Sequence, residues 1–436
     1  MEALLHVVQF LNEGHYSLPG HLWLDIENVV QKTFIPLIKI GTERPCEASD
    51  FEKYLPDIEL KLKNLVITFA EIEKKCGVDK VFPKNLAVNI LLLCGEHASQ
   101  DSWTSDKTIQ LCEDLLEILY KFWHCSSVSE LLTGAEYEAL LSPALLALRP
   151  KLLKNTWKTF PAAISCYHWL LFHIKSPHLG PHLTSVVPTA LIILDDFVPE
   201  NKILGIRCLQ HITDNATRTE LGWYGHGDVI YKSLERLIYE RDAIIIEPLI
   251  SCLIVVLNKL DGGYIKDQNN YEWSRYDEIL DKLLQQMELE DRLALRMAYV
   301  KHLPALVQAS GLRMCRWSNK FLKVCSRYLE VAGFSEQREA PYVLQAVQAF
   351  VSNCWPVVPH HAPGLLHMFL RLLYDLTELD NTPHDICKLI EQCVCVVIKI
   401  APTESHIACD NIVTQTRFNS EFTTIVERVF KPVQII

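Results

Sequence analysis

Fifteen cysteines and 17 histidines are the side chains in this sequence best equipped for chemistry. A thiolate beside an imidazole can act as a nucleophile. Cys125 directly follows His124, and Cys166 lies two residues before His168. Zinc requires four ligands converging on one point. No Cys-x-x-Cys is present, and His178 and His182 are separated by Gly180 and Pro181, which prevent a regular helix. His384, Cys387, Cys393, Cys395 and His406 cluster, but Cys393 falls on a different helix face from Cys387 and Cys395. Small core residues of a helix explain that cluster better than a metal does. Asp195-Asp196 is an adjacent acidic pair beside a strong apolar run, and paired carboxylates can do acid–base work. Their place just before a helix start favours a structural role, either accepting free N–H groups or pairing with Lys202 or Arg207. The glycines of Gly222–Gly227 have the wrong spacing for a dinucleotide turn and read as an inter-helix loop needing positive φ. Phosphate loops, nucleophile elbows and His-Glu-x-x-His are absent. No catalytic residue, metal or cofactor is expected.

The sharpest candidate for binding is a basic stripe. Arg313, Arg316, Lys320, Lys323 and Arg327 are spaced three or four apart, which keeps them on one helix face. Such a stripe can dock an acidic peptide, a phosphosegment or a nucleic-acid backbone. It can equally be a solvated face neutralised by acids of a neighbouring repeat, such as Glu288 or Glu290.

The elements that position these residues are helical. Among 436 residues only 16 are glycine, and hydrophobic residues make up 49%. A Gly-poor, Leu-rich composition suits helices and argues against an all-β fold. The net charge of −11 makes nucleic acid an unexpected partner. The longest apolar run, Leu249–Leu257, is too short to span a bilayer and follows Glu247-Pro248. No basic segment precedes the apolar start. A cytoplasmic and nuclear protein with reduced, buried thiols is the expectation, with no membrane partner.

The second half repeats. Apolar helical segments end near Thr213, Leu260, Ser310, Trp355 and Ala401. The spacing of about 45–50 residues is that of stacked helix pairs. The predicted fold is an all-α, HEAT/armadillo-like solenoid of antiparallel helix pairs. Residues 1–180 read as a less regular helical region, 181–401 as HEAT-like repeats, and 402–436 as a loosely packed or poorly ordered tail. Pro304 predicts a kink. Thr382-Pro383-His384-Asp385 predicts a helix start, and Asp261–Tyr271 is the most polar long loop.

Residues 191–212 carry a more specific pattern. An apolar helix ends in Leu194-Asp195-Asp196-Phe197, then come Pro199, Glu200 and Lys202, then a helix with Gly205 and Leu209 that closes on His211. This resembles the signature of the Tel-two-interacting protein number-two family, the smallest subunit of the Triple-T (TTT) complex. By the residues themselves the signature is a packing motif, with Ile203, Ile206, Leu209 and Ile212 forming a buried stripe. The resemblance implies a non-catalytic scaffold. Its implied partners are the larger Tel-two-interacting subunit, number one, and the Tel-two protein. Chaperone machinery and newly made phosphatidylinositol-3-kinase-related kinases are implied indirectly, with roles in kinase stability and DNA-damage signalling. The regular C-terminal repeats offer the longest continuous surface for such a partner. Removing the residues after Asp261 should therefore abolish capture of the partner solenoid. A truncated, folded chain that still captures it would move the contact into the N-terminal half.

Overall fold

Apolar residues repeating every three to four positions form helices throughout, and no strand is present among the described residues. The computed structural model describes residues 2–37, 44–77, 82–134, 139–262, 273–332, 339–378, 384–415 and 420–430. The chain divides into two compact units, Met1–Asp195 and Asp196–Ile436.

The first unit contains α1 (Glu2–Asn12), α2 (Gly20–Gln31), α3 (Leu55–Cys76), α4 (Lys84–Glu96), α5 (Asp106–Phe122), α6 (Val128–Thr133), α7 (Leu141–Leu148), α8 (Pro161–Phe172) and α9 (Leu183–Leu194). Local chemistry sets their limits. Ser105 accepts the Thr108 N–H and opens α5, while Gly77, at φ +72°, closes α3. Helices stack in two rows: α1 on α3 on α5, and α2 on α4 on α8. The helix α4 is apolar nearly all round and is buried from Leu86 through Glu96, as a central core helix must be. Gly95 is required there. A Cβ at this position would lie 2.6 Å from Cys166 Sγ and 2.9 Å from a Trp169 ring carbon.

The end of α4 buries charge. The Glu96 carboxylate accepts the Ile35 N–H at 3.0 Å and faces Lys151 Nζ at 3.4 Å. Burial pushes its pKa up, against the opposing pull of Lys151. Next to it, His97 is fully buried and neither ring nitrogen has a hydrogen-bond partner among the described residues.

The second unit contains α10 (Pro199–Asn215), α11 (Arg218–Gly222), α12 (His226–Arg236), α13 (Ala243–Asp261), α14 (Arg275–Leu289), α15 (Leu293–Lys301), α16 (Leu303–Ser310), α17 (Ser318–Ala332), α18 (Ala340–Asn353), α19 (Val358–Thr377), α20 (His384–Ile400), α21 (Pro402–Gln415) and α22 (Ser420–Phe430). One row runs α10, α13, α15–α16, α18, α20, and the other α14, α17, α19, α21. Helices of the first row end at Asn215, Asp261, Ser310, Asn353 and Ile400, within two residues of the ends expected from the repeat. The helix α13 is long and apolar enough to cross a membrane, yet its buried side chains, among them Ile246, Leu249, Leu253 and Leu257, belong to a helix packed against α10, α12 and α15. Pro304 does break its helix: α15 stops at Lys301 and α16 restarts at Leu303, with His302 between them.

Two features differ in detail from the sequence reading. Residues 402–436, expected to be loose, hold α21 and α22. Phe422 packs edge-on against Tyr374 at 5.7 Å, and Arg428 pairs with Glu391. Arg313 and Arg316, expected on one α-helix with Lys320, Lys323 and Arg327, lie in a 3-10 segment, Gly311–Trp317, that precedes α17. The expected cap at Thr382-Pro383 lies outside the described residues, as does the polar loop Asp261–Tyr271 beyond Asp261, which ends α13, and Gly262, which caps it.

A buried ion pair fixes α15 against its neighbours. Arg296 is almost fully buried, meets Glu339 at 2.9 Å, donates to the Tyr328 carbonyl at 3.2 Å, and stacks 4.0 Å from the Tyr328 ring centroid. Burial raises the Glu339 pKa, while Arg296 acts to lower it.

His97 gives the fold an acid limit. Desolvation holds its pKa down to about 4, whereas the unfolded chain protonates near 6.5. Between these values the unfolded state binds the extra proton, so stability is full above pH 6.5 and falls as pH drops toward 4. The loss amounts to about 3 kcal/mol at ~1.4 kcal/mol per unit. His97→Leu should flatten this part of the pH profile of the urea midpoint. An unchanged slope would show that His97 is not held neutral.

Candidate interaction surface

The 191–212 segment forms the end of α9, a short break, and the start of α10. Leu194 is buried. Asp195 is exposed at the C-cap of α9 and lies 3.9 Å from Lys154 Nζ. Asp196 is buried and accepts the Asn201 side-chain amide at 2.7 Å. Pro199 opens α10, and Glu200 supplies the acidic first turn. Lys202 pairs with Glu240 rather than with the aspartates. Gly205, Ile206, Cys208, Leu209 and Ile212 are buried, and His211 accepts the Asn215 amide on its carbonyl. Close approach is direct here: the Cys252 thiol of α13 donates to the Ile206 carbonyl of α10 at 3.7 Å. Nothing in this arrangement pairs the two carboxylates for acid–base chemistry.

The basic stripe is engaged by α14. Arg316 meets Asp277 at 3.0 Å, Lys320 meets Asp281 at 2.9 Å, Lys323 meets Glu288 at 2.6 Å, and Arg327 meets Asp291 at 2.7 Å. Asp277 is itself buried and accepts from the Trp317 indole N–H and from Ser274. Lys323 holds the Glu288 carboxyl below its ordinary range. The same device joins α12 to α14 through Lys232–Glu278 and Lys282–Glu235, and α17 to α19 through Arg371–Glu330. Arg313, the fifth member of the stripe, lies over the Tyr276 ring, and its Nη1 has no hydrogen-bond partner among the described residues. Glu290 pairs with Arg292 instead of the stripe.

The cysteine candidates are poor nucleophiles. Cys166 is fully buried and its thiol is pushed well above the ordinary range by desolvation. Cys125 is pushed up to about 11 for the same reason. Cys387 and Cys393 are buried in α20, and no group of three or more metal-ligating side chains occurs among the described residues. The Gly222–Gly227 loop does use positive φ, at Tyr224 and Gly225. Gly227 serves close packing instead, since a Cβ there would lie 2.5 Å from Leu260 Cδ2 and the leucine would have to shift.

A surface the sequence reading missed lies along one rim of the second unit. The turns entering α10, α13 and α15 carry Phe197, Tyr239 with Ile244, and Leu289 with Leu293, all 53–73% exposed. These turns are neighbours, because Lys202 pairs with Glu240 and Arg292 donates to the Arg241 carbonyl. Scattered exposed apolar residues are ordinary, but one or two at each of three successive turns is a row. The available signal was an apolar residue beside an acidic one at each repeat turn, as in Tyr239-Glu240 and Leu289-Glu290.

No family model matches this chain. TELO2-interacting protein 2 of Rattus norvegicus is 28% identical over 351 residues, covering 78% of this chain and 68% of that protein. TELO2-interacting protein 2 of Homo sapiens is 30% identical over 306 residues, covering 69% of this chain and 60% of that protein. The Mus musculus protein of that name is 29% identical over 346 residues, 79% of this chain and 67% of its own length. The chain thus spans about two thirds of these curated relatives. Among solved structures, the Kap95p–RanGDP complex contains a chain that superposes with a TM-score of 0.51 at 11% identity. It covers 90% of this chain and 47% of the other, and the likeness is one of fold.

Thiol environments differ enough to be measured. A hydrogen bond with Cys354 holds the half-exposed Cys315 thiol down to about 7, while burial raises Cys208 to about 12. Iodoacetamide at pH 7 should label Cys315 first in the folded protein and leave Cys166, Cys208 and Cys252 unmodified, as read by peptide mass mapping. Early labelling of Cys166 would contradict its burial.

Proposed function

Because the chain belongs to the TELO2-interacting protein 2 family, we propose that it is a non-catalytic scaffold subunit of the Triple-T complex. The carrying observation is the 28–30% identity to three curated relatives over 69–79% of the chain. In this reading the repeats bind the larger Tel-two-interacting subunit, number one, and the TELO2 protein. With chaperones, the assembly supports maturation and stability of phosphatidylinositol-3-kinase-related kinases in cytoplasm and nucleus. The kinase clients are reached through the complex, and no residue of the chain takes part in bond chemistry.

The rim of the second unit suits the docking role. Stable association needs about 1,000 Å² or more of buried surface, with apolar anchors at its centre. Phe197, the aromatic of the family signature, stands exposed at one end of the rim, and Leu289 and Leu293 at the other. The ion-paired stripe is a weaker candidate, since carboxylates of α14 and of the turn after it, at Asp291, already pair with four of its five cations.

Affinity purification of the tagged full chain at moderate salt should recover the two other Triple-T subunits in near-equal amounts. Replacing Phe197, Leu289 and Leu293 together by Ser should reduce that recovery by at least about tenfold. Lys323→Ala should leave it unchanged. Recovery of neither subunit by the unaltered chain would remove the scaffold reading, and full recovery by the triple variant would remove the rim.

A further inference from the structure

Between α11, the C-terminus of α13, the start of α14 and the 3-10 segment before α17 lies a cleft of about 470 Å³. That volume is in the range of ligand sites, about 300–1,000 Å³. Its walls are mostly charged, and the charges fall into two groups.

The first group is internally satisfied. Arg275 reaches both Asp228 and Asp261. Glu278 accepts from the Tyr231 hydroxyl at 2.7 Å and pairs with Lys232 at 3.3 Å. These contacts tie α12, α13 and α14 together and consume every carboxylate lining the cleft.

The second group is Arg218 and Arg313. Both line the cleft, and neither has an ion pair among the described residues. Arg313 is held from behind by the Tyr276 ring, 5.3 Å from its centroid, and its Nη1 is out of contact with solvent without a hydrogen-bond partner among the described residues. Arg218 is exposed at the first turn of α11, and its guanidinium lies over Gly262. Its Nη1 is 3.3 Å from where a Cβ would stand at that glycine, whose φ is +69°. Trp273, more than half exposed, supplies an aromatic wall, steadied by Trp317 at 5.6 Å and by Arg316 over its ring. Arg218 and Arg313 thus face one concave site with no carboxylate partner among the described residues.

We propose that this cleft binds a phosphorylated serine or threonine in a segment of a partner protein, with Arg218 and Arg313 on the phosphate and Trp273 against the neighbouring residues. Two guanidiniums offer two positive charges and two planar sets of donors. A phosphomonoester carries about −1.5 to −2 charges and three acceptor oxygens, so it matches both. A single carboxylate would leave one arginine unspent. Guanidinium forks are suited to phosphate because they donate in pairs. The cleft residues lie at the starts of α12 and α14 and the end of α13, whereas the rim lies at the opposite ends of those helices, so the site does not depend on which protein occupies the rim.

The test uses the full chain and a fluorescein-labelled peptide Glu-Asp-pSer-Glu-Glu, followed by fluorescence anisotropy beside its unphosphorylated twin and a twin with Glu in place of pSer. The phosphopeptide should bind at least about tenfold tighter than either twin, the worth of one or more charge-assisted hydrogen bonds. Binding should weaken with salt, and millimolar inorganic phosphate should compete. Arg218→Glu, at an exposed position, should lose at least about tenfold in affinity with an unchanged melting temperature. Arg313→Gln should lose affinity as well. Lys323→Ala on the ion-paired stripe should bind as the unaltered chain does. Equal binding of the three peptides, or wild-type affinity in Arg218→Glu, would overturn the proposal.

Discussion

A helix with one apolar face cannot stand alone in water, and a pair of them buries only part of what it must. Every element of this chain depends on that constraint. The apolar face of α13 is buried because α10 covers one side and α15 another, and α18 in turn needs α16 and α20. The stability of such a stack is a sum over neighbours. Sites where helices come unusually close therefore carry small residues. Gly95 makes room for Cys166 and Trp169, and Gly227 makes room for Leu260.

Charge is arranged on top of this apolar order. Exposed ion pairs are individually worth ~1 kcal/mol or less, so the α14–α17 series is not what holds the helices together. Its value lies in register. Four cations on one side meet four carboxylates on the other, and a slide of one turn would set unlike spacings against each other. Buried groups act differently. Asp277 is tolerated inside because Ser274, Trp317 and Arg316 all donate to it, and Arg296 because Glu339 and the Tyr328 carbonyl and ring surround it. Breaking one member of such a set leaves the others desolvated and unpaired. His97 has no such set among the described residues, and its neutral burial is the reason the first unit is expected to lose stability in acid.

A scaffold of this kind works by presenting surfaces fixed relative to one another within a unit. In the second unit, an apolar row runs along the turns into α10, α13 and α15, and a charged cleft opens among α11, α12 and α14. One offers desolvation and the other charge recognition, and the two would respond differently to salt and to covalent modification of a partner.

Much of this was legible before any coordinates. The helical periodicity, the repeat spacing and the break at Pro304 all follow from local residue pattern, because a 3.6-residue repeat and a proline act on the chain within a few residues of themselves. The fate of the basic stripe did not follow. Spacing puts Arg313, Arg316, Lys320, Lys323 and Arg327 together, but whether they face solvent, a ligand or Asp277, Asp281, Glu288 and Asp291 depends on which helix lies alongside. The same limit applies to Arg218 and Arg313, nearly a hundred residues apart in the chain and neighbours only in the cleft. Sequence by itself determined what each helix is and which face it must bury. Only the tertiary structure decided which charges are spent on a neighbouring helix and which are left over, because ion pairing acts through a few ångströms of space and takes no account of distance along the chain.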